Sequence, residues 1–387
     1  MPLSSTIAFL VSLAKVLWCL KYRTDKQKVF GFAPSDELAL TKRNLGFLDQ
    51  RLALAWVHDN IHAFGGDNSK ITIHGQSAGA YSVKNLWALP PNPLPFRAAI
   101  MESQATLLPR NDWNKLVALL NCTQAVSKLA CVQAADATTI SSLASGHLLF
   151  FPPTVDGVTH LDHIELAIAA KTAAPVPLLL GTNGNEVGQL LPLLLSSNVS
   201  SATLGAGKGL SANDIISILL PNQTDADYFK QLVAQGVQNT EDAATHALNQ
   251  YLFTCRTRAI SQLAAQSGYS VWRYLYNATL NDVSTTPGSE TKGASHSSEL
   301  PIVFGTYPPN STELATIKPL SNFVSELWTG FIKDPARGLS WPKYGSQHES
   351  LFRIGNDGAV NGSLVLPRVV DYDCALYDPL IIPRGRL

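Results

Sequence analysis

The chain has 387 residues, 45% of them hydrophobic and only 15% charged, with Lys+Arg and Asp+Glu balanced at 29 each. Such a composition can fill a large core and excludes a disordered chain. Without a basic stripe or a run of like charge, it also gives no footprint for nucleic acid and no polybasic patch for a membrane surface.

The chain opens with an apolar stretch, Thr6 to Leu20, interrupted by Lys15 and followed by Lys21-Tyr22-Arg23. It is too short and too flawed for a stable membrane span, and it lacks the charged start and small-residue cleavage site of a signal peptide. Three readings stay open for residues 1–21: a strand or helix of the fold, a signal or anchor, and an artefact of the gene start. Residues 22–387 read as one domain, with no internal repeat and no interdomain linker.

Asn44 is placed to cap a helix whose apolar residues Leu45, Leu48, Leu52, Trp56, Ile61 and Phe64 recur near the 3.6 period, ending at Gly65-Gly66. A turn through Asp67-Asn68 leads to KITIHGQSAGA, Lys70 to Ala80. Here Ile71 to His74 reads as a buried strand and Ala78 to Leu89 as a helix, so Gly75-Gln76-Ser77-Ala78-Gly79 has the strand-to-helix setting of a G-x-S-x-G nucleophile elbow. Gly75 and Gly79 lack side chains where a sharply bent backbone must present Ser77 to a substrate carbonyl.

Pro90-Pro91 stops that helix, and Arg97 to Glu102 reads as the next buried strand, which points to a parallel sheet. Cys122 and Cys131 bracket a short loop that a disulfide could close. Pro175 to Gly181 reads as a strand running into Thr182-Asn183-Gly184-Asn185-Glu186, which puts a carboxylate where open α/β sheets carry their chemistry. Residues 190–210 read as a mobile loop over something apolar, and 211–265 as helices. Ser270 to Leu280 reads as a strand, Asn281 to Ser298 as a glycine- and serine-rich loop carrying His296, and Ser321 to Lys333 as a last amphipathic helix. Trp341 to Tyr344 packs near the C-terminus. Sequons at Asn121, Asn198, Asn222, Asn277, Asn310 and Asn361 suggest a secreted glycoprotein, and the five cysteines agree with secretion if four of them pair.

Ser77, Glu186 and His296 then stand at the C-terminal ends of three successive candidate strands, in the serine–acid–histidine order of α/β-hydrolases. The chemistry needs all three types. A serine hydroxyl is a weak nucleophile until an imidazole takes its proton, and a carboxylate must hold that imidazole's tautomer and stabilise the transient cation.

The segments from FGFAPSDE through HGQSAGA, LNCTQAVSKLACV, VPLLLGTNGNEVG, ASHSSELPIVFG and WTGFIKDPARGLSWPKYG resemble the type-B carboxylesterase/lipase family, from about Tyr22 to Tyr377. The resemblance implies an α/β-hydrolase fold whose mostly parallel central sheet carries helices on both faces. It implies Ser77 as nucleophile, Glu186 as acid, His296 as base and Ala78 N–H as an oxyanion donor. It also implies disulfides Cys122–Cys131 and Cys255–Cys374, with Cys19 left over. The expected substrate is a small-molecule or lipid ester, and no cofactor, metal or nucleic acid is called for.

Gln76 stands where many relatives carry glutamate, Ser103 resembles a family serine near the triad acid, and Gln104 departs from the usual glycine. His58, His62 and His74 read as structural or surface groups. The family's glycine-rich HGG oxyanion loop has no counterpart in the sequence, since Gly65-Gly66 ends the helix before the nucleophile strand. By the resemblance the chain begins inside the family's fourth strand. The edge beside the nucleophile strand is then bare unless Ile7 to Leu20 covers it. Two functions follow: an ester hydrolase weakened by the missing loop, or a catalytically silent relative that only binds.

Overall fold

A computed structural model describes residues 6–12, 17–23, 29–104, 111–147, 149–188, 191, 211–220, 227–228, 232, 237–283, 293–348 and 350–381. Short β-branched and leucine-rich runs, each ended by polar or glycine residues, become the strands of one sheet. In chain order they are β1 (Thr6–Ser12), β2 (Leu17–Arg23), β3 (Ile71–Gln76), β4 (Ala98–Glu102), β5 (Leu178–Asn183), β6 (Val271–Tyr276), β7 (Leu351–Ile354) and β8 (Gly362–Val365). The spatial order is β2-β1-β3-β4-β5-β6-β7-β8, with β3 through β7 parallel and β8 antiparallel at one edge. Strands β3 to β6 are buried along their whole length, which explains why they read as unbroken apolar runs rather than alternating ones. For the stretch around Val271 this departs from the simple alternation of the sequence. Both faces of β6 are covered.

In the structure the N-terminal stretch pairs with the sheet. Thr6–Ser12 lies beside the nucleophile strand, antiparallel to it, with Thr6 opposite Gln76 and Val11 opposite Ile71. Leu17–Arg23 then folds back on β1, Thr6 opposite Arg23. The apolar run is thus used as a hairpin that takes up the hydrogen-bonding edge of β3.

Helices cover both faces. Ala99, Met101, Leu178 and Leu180 point to one layer, formed by α1 (Leu45–Asn60), α2 (Ala78–Ala88) and the helix Cys255–Gln266. Ala98, Ile100, Leu179, Trp272 and Tyr274 point to the other, where the helix Leu314–Lys333 contributes Val324, Trp328 and Phe331. The period of two along β4, β5 and β6 therefore builds two cores from one sheet. This last helix starts seven residues earlier than the sequence suggested, running through Pro319 in its first turns. β7, β8 and the terminal helix Cys374–Ile381 had no clear sequence signal.

Helix α1 corrects the sequence reading twice. Its buried residues are Phe47, Gln50, Leu54 and Val57, followed by Ile61, whereas Leu45, Leu52, Trp56 and Phe64 are exposed, Leu52 at 70%. Both faces carry apolar residues at helical spacing, so periodicity alone could not choose between them. Asn44 does sit at the N-cap position but makes no cap bond. Its side chain turns inward, donating to Thr154 O at 2.6 Å and accepting from Thr154 N at 2.8 Å, so it ties α1 to a distant loop.

The two disulfides join Cys122 to Cys131 and Cys255 to Cys374. The second spans 119 residues. Loop-closure entropy credits it with about 5 kcal/mol against about 2.5 for the first. It fastens the terminal helix beside the start of Cys255–Gln266 in a separate helical cluster containing Ile215, Ile216, Ala244, Phe253 and Tyr377. The stretch 190–210, read as a mobile loop, lies outside the described residues except Leu191, as does 284–292 of the histidine loop.

Candidate active site

The C-terminal ends of β3, β4, β5 and β6 open on one side of the sheet. Ser77 follows β3 directly, with φ 57° and ψ −122°, outside the regions that L-residues favour. The turn is tight enough that a Cβ on Gly75 would come within 2.3 Å of the Gly79 backbone, so Gly75 has a steric requirement for glycine. Ser77 N donates to Glu102 O at 2.9 Å, anchoring the elbow to the end of the neighbouring strand. Ala78 begins α2, and the first N–H groups of a helix have no acceptor within it.

Glu186 lies three residues past β5, and His296 belongs to the segment after β6. The strands bearing the three groups are therefore not successive, as the sequence suggested. β4 stands between β3 and β5 and ends at Glu102, with Ser103 following. The two later loops are stitched together: Asn185 N donates to Ala294 O at 2.9 Å, Asn183 Nδ2 donates to Ser295 O at 2.7 Å, and Asn185 bridges Ser295. Gly184 fits because Asn277 Oδ1 lies 2.1 Å from where a Cβ would sit.

This brings three buried side chains into line. His296 Nε2 lies 2.8 Å from Ser77 Oγ, and its Nδ1 lies 2.6 Å from Glu186 Oε2. Glu186 is fully buried, and its other oxygen accepts from Asn183 N at 2.6 Å. With Nδ1 paired to a carboxylate, the tautomer that carries its proton there leaves Nε2 free to accept from Ser77. The Phe253 ring packs against the imidazole with centroids 5.2 Å apart. Gln76 Nε2 stands 3.4 Å from His296 Nε2, so an amide rather than a carboxylate faces the base.

Behind this line lies a polar cluster that the sequence reading missed. Glu102 is fully buried; its Oε1 accepts from Trp328 Nε1 at 2.6 Å, and its Oε2 lies 3.0 Å from His74 Nε2, an ion-pair contact without hydrogen-bond alignment. His74 is thus neither a surface group nor part of the serine relay, and its ring stacks on Phe304. Glu299, three residues beyond His296, is also buried and accepts from Asn183 Nδ2. Burial, together with the neighbouring Glu102 and Glu186, pushes its carboxyl well above the usual range. The SHSSE pattern could have flagged Glu299. Nothing local marks Glu102 or His74, which meet only when β3 and β4 pair. Ser103 is buried at φ 49°, with its N–H donated to Gly181 O at 2.8 Å, so it joins β4 to β5. His58 and His62 lie on or beside α1, well away in sequence from these loops, with His58 near Asp59.

Among the described residues, the one group of close potential metal ligands is Cys255, Asp373 and Cys374, whose two sulfurs are already joined. No helix among them is long and apolar enough to cross a membrane.

Comparison with known proteins agrees with this architecture. The carboxylesterase family model matches residues 14–368. Secreted lipase 5 of Gibberella zeae is 27% identical over 91% of this chain and 64% of its own length. Para-nitrobenzyl esterase of Bacillus subtilis is 31% identical over 78% of this chain and 61% of its own length. The chain therefore spans less than two thirds of these relatives. The crystal structure of Aspergillus niger EstA superposes with a TM-score of 0.68 at 24% identity, covering 92% of this chain and 73% of that one, which shows a shared fold. By its sheet order, its flanking helix layers and the match along most of its length, this chain is a member of the carboxylesterase family.

Proposed function

We propose that the chain hydrolyses carboxylic esters at Ser77, with His296 as general base and Glu186 as the orienting acid. The observation that carries this reading is the pair of contacts on either side of one imidazole, 2.8 Å to Ser77 Oγ and 2.6 Å to Glu186 Oε2. As Ser77 Oγ bonds to the acyl carbon, its proton passes to His296 Nε2; collapse of the tetrahedral adduct breaks the bond to the leaving oxygen, which takes that proton. Water then repeats the sequence on the acyl-enzyme and frees the acid. Ala78 N–H is the proposed oxyanion donor from the elbow.

Small activated esters are the proposed substrate class, with lipid esters as the larger alternative; the named secreted lipases and the para-nitrobenzyl esterase among its relatives support both. The relatives named as secreted lipases and the two disulfides support an extracellular setting. A second reading is a catalytically silent relative that only binds: the elbow itself offers Ala78 N–H as an oxyanion donor, and each such donor is worth on the order of a hundred- to thousandfold in rate. A burst assay with an activated aryl ester on folded protein separates the two, run beside Ser77→Ala. Steady turnover abolished by that substitution supports the hydrolase. A single stoichiometric burst, or none, supports the silent reading.

A further inference from the structure

The helix Thr240–Asn249 does not run straight into Cys255–Gln266. Between them Gln250–Thr254 forms a π-helical turn, which widens the helix by one residue for a single turn. Such turns are unfavourable by themselves and recur where a side chain must be re-aimed. Here the turn is held at its C-terminal end. Thr254 O accepts from the buried Arg273 guanidinium at 3.4 Å, and Cys255, the residue that follows, is bonded to Cys374.

The side chain delivered by this device is Asn249. It is buried, its Oδ1 accepts from Glu186 N at 2.6 Å, and its Nδ2 donates to Thr254 Oγ1 across the turn at 3.3 Å. The amide is thereby oriented with its oxygen toward Glu186. Four residues on, Phe253 from the same turn lies against the His296 ring. Other bonds to the acid loop come from strand ends and from the histidine loop, among them Gly184 N to Tyr276 O and Asn185 N to Ala294 O, both 2.9 Å. Those bonds fix residues 184 and 185, and Asn249 fixes the peptide of Glu186 itself.

We propose that Asn249 is a positioning residue for the reaction, holding the Glu186 backbone so that its carboxylate meets His296 Nδ1 at hydrogen-bond distance. It touches neither substrate nor the reacting atoms. Its effect passes through Glu186 to the orientation of the imidazole, where misplacement by about 1 Å costs on the order of a hundredfold. The proposal rests on the Ser77–His296–Glu186 reading above, so its test needs one readout that turnover does not supply.

That readout is the proton on His296 Nδ1, observed by NMR as a far-downfield resonance when it is shared with a buried carboxylate. Asn249→Leu removes the acceptor with similar bulk and Asn249→Asp restores an acceptor oxygen. We expect Asn249→Leu to lose or broaden the resonance and to lower kcat by ten- to a hundredfold with KM within twofold, and Asn249→Asp to recover both. Should the leucine variant not fold, Asn249→Ala removes the same acceptor without bulk. A folded Leu or Ala variant that keeps the resonance and a kcat within twofold of wild type, changed only in melting temperature, overturns the proposal. Failure of the aspartate to restore the resonance also counts against it. If wild type shows the resonance without Ser77-dependent turnover, the hydrolase reading falls, and the resonance of the variants still decides the role of Asn249.

Discussion

Removing His74 should be expensive in stability, and more expensive than removing both members of its pair. His74 and Glu102 are 2% and 0% exposed and 3.0 Å apart. His74→Phe preserves the ring that stacks on Phe304 but leaves the Glu102 carboxylate with the Trp328 N–H as its remaining contact of known length. Breaking a buried pair from one side costs about 3–5 kcal/mol. Glu102→Gln keeps an acceptor for Trp328 and removes the charge, so the double variant His74→Phe/Glu102→Gln should be more stable than His74→Phe alone by about 2 kcal/mol or more. Urea unfolding followed by tryptophan fluorescence, with the disulfides intact, measures the four corners of the cycle. A His74→Phe cost below about 1 kcal/mol, or strictly additive effects, would refute the claim that the buried His74–Glu102 contact locks β3 to β4 beneath the serine.

Two further outcomes concern pH. Because burial and the neighbouring Glu102 and Glu186 raise the folded-state pKa of Glu299, the folded chain holds a proton that the unfolded chain has released above about pH 4.5. Stability therefore falls as pH rises from that value toward the folded pKa, and Glu299→Gln should flatten this decline and stabilise the protein at pH 8 relative to pH 5; an unchanged pH slope in urea midpoints would contradict it. Gln76→Glu would set a carboxylate where an amide now stands 3.4 Å from His296 Nε2. It favours the imidazolium, so the acid limb of kcat/KM should move to higher pH; a superimposable profile would show that residue 76 does not act on the base.

Much of the candidate site could be read from the sequence because its constraints are local or ordered along the chain. An apolar run, a serine between glycines and a helix, all within Lys70–Leu89, define a strand–turn–helix with little help from elsewhere. Glu186 and His296 followed from their place in an ordered set of motifs, as did the cysteine partners. What the sequence could not decide was every choice between two locally equal options. Helix α1 is apolar on opposite faces, so only packing against β3 and α2 selected Leu54 and Val57 over Leu52 and Trp56. The run Thr6 to Leu20 suited a strand, helix or signal, and pairing with β3 made it a hairpin whose first strand runs against the nucleophile strand. Asn44 looked like a helix cap and became a buried tie to Thr154, 110 residues away. The contacts of Asn249 with Glu186 and of His74 with Glu102 join residues that no periodicity links. Local geometry fixes which residues can form a strand, turn or helix, but a buried polar side chain takes its partner from whatever the fold places within about 3 Å of it, and that is set by the sheet order and helix packing of the whole chain.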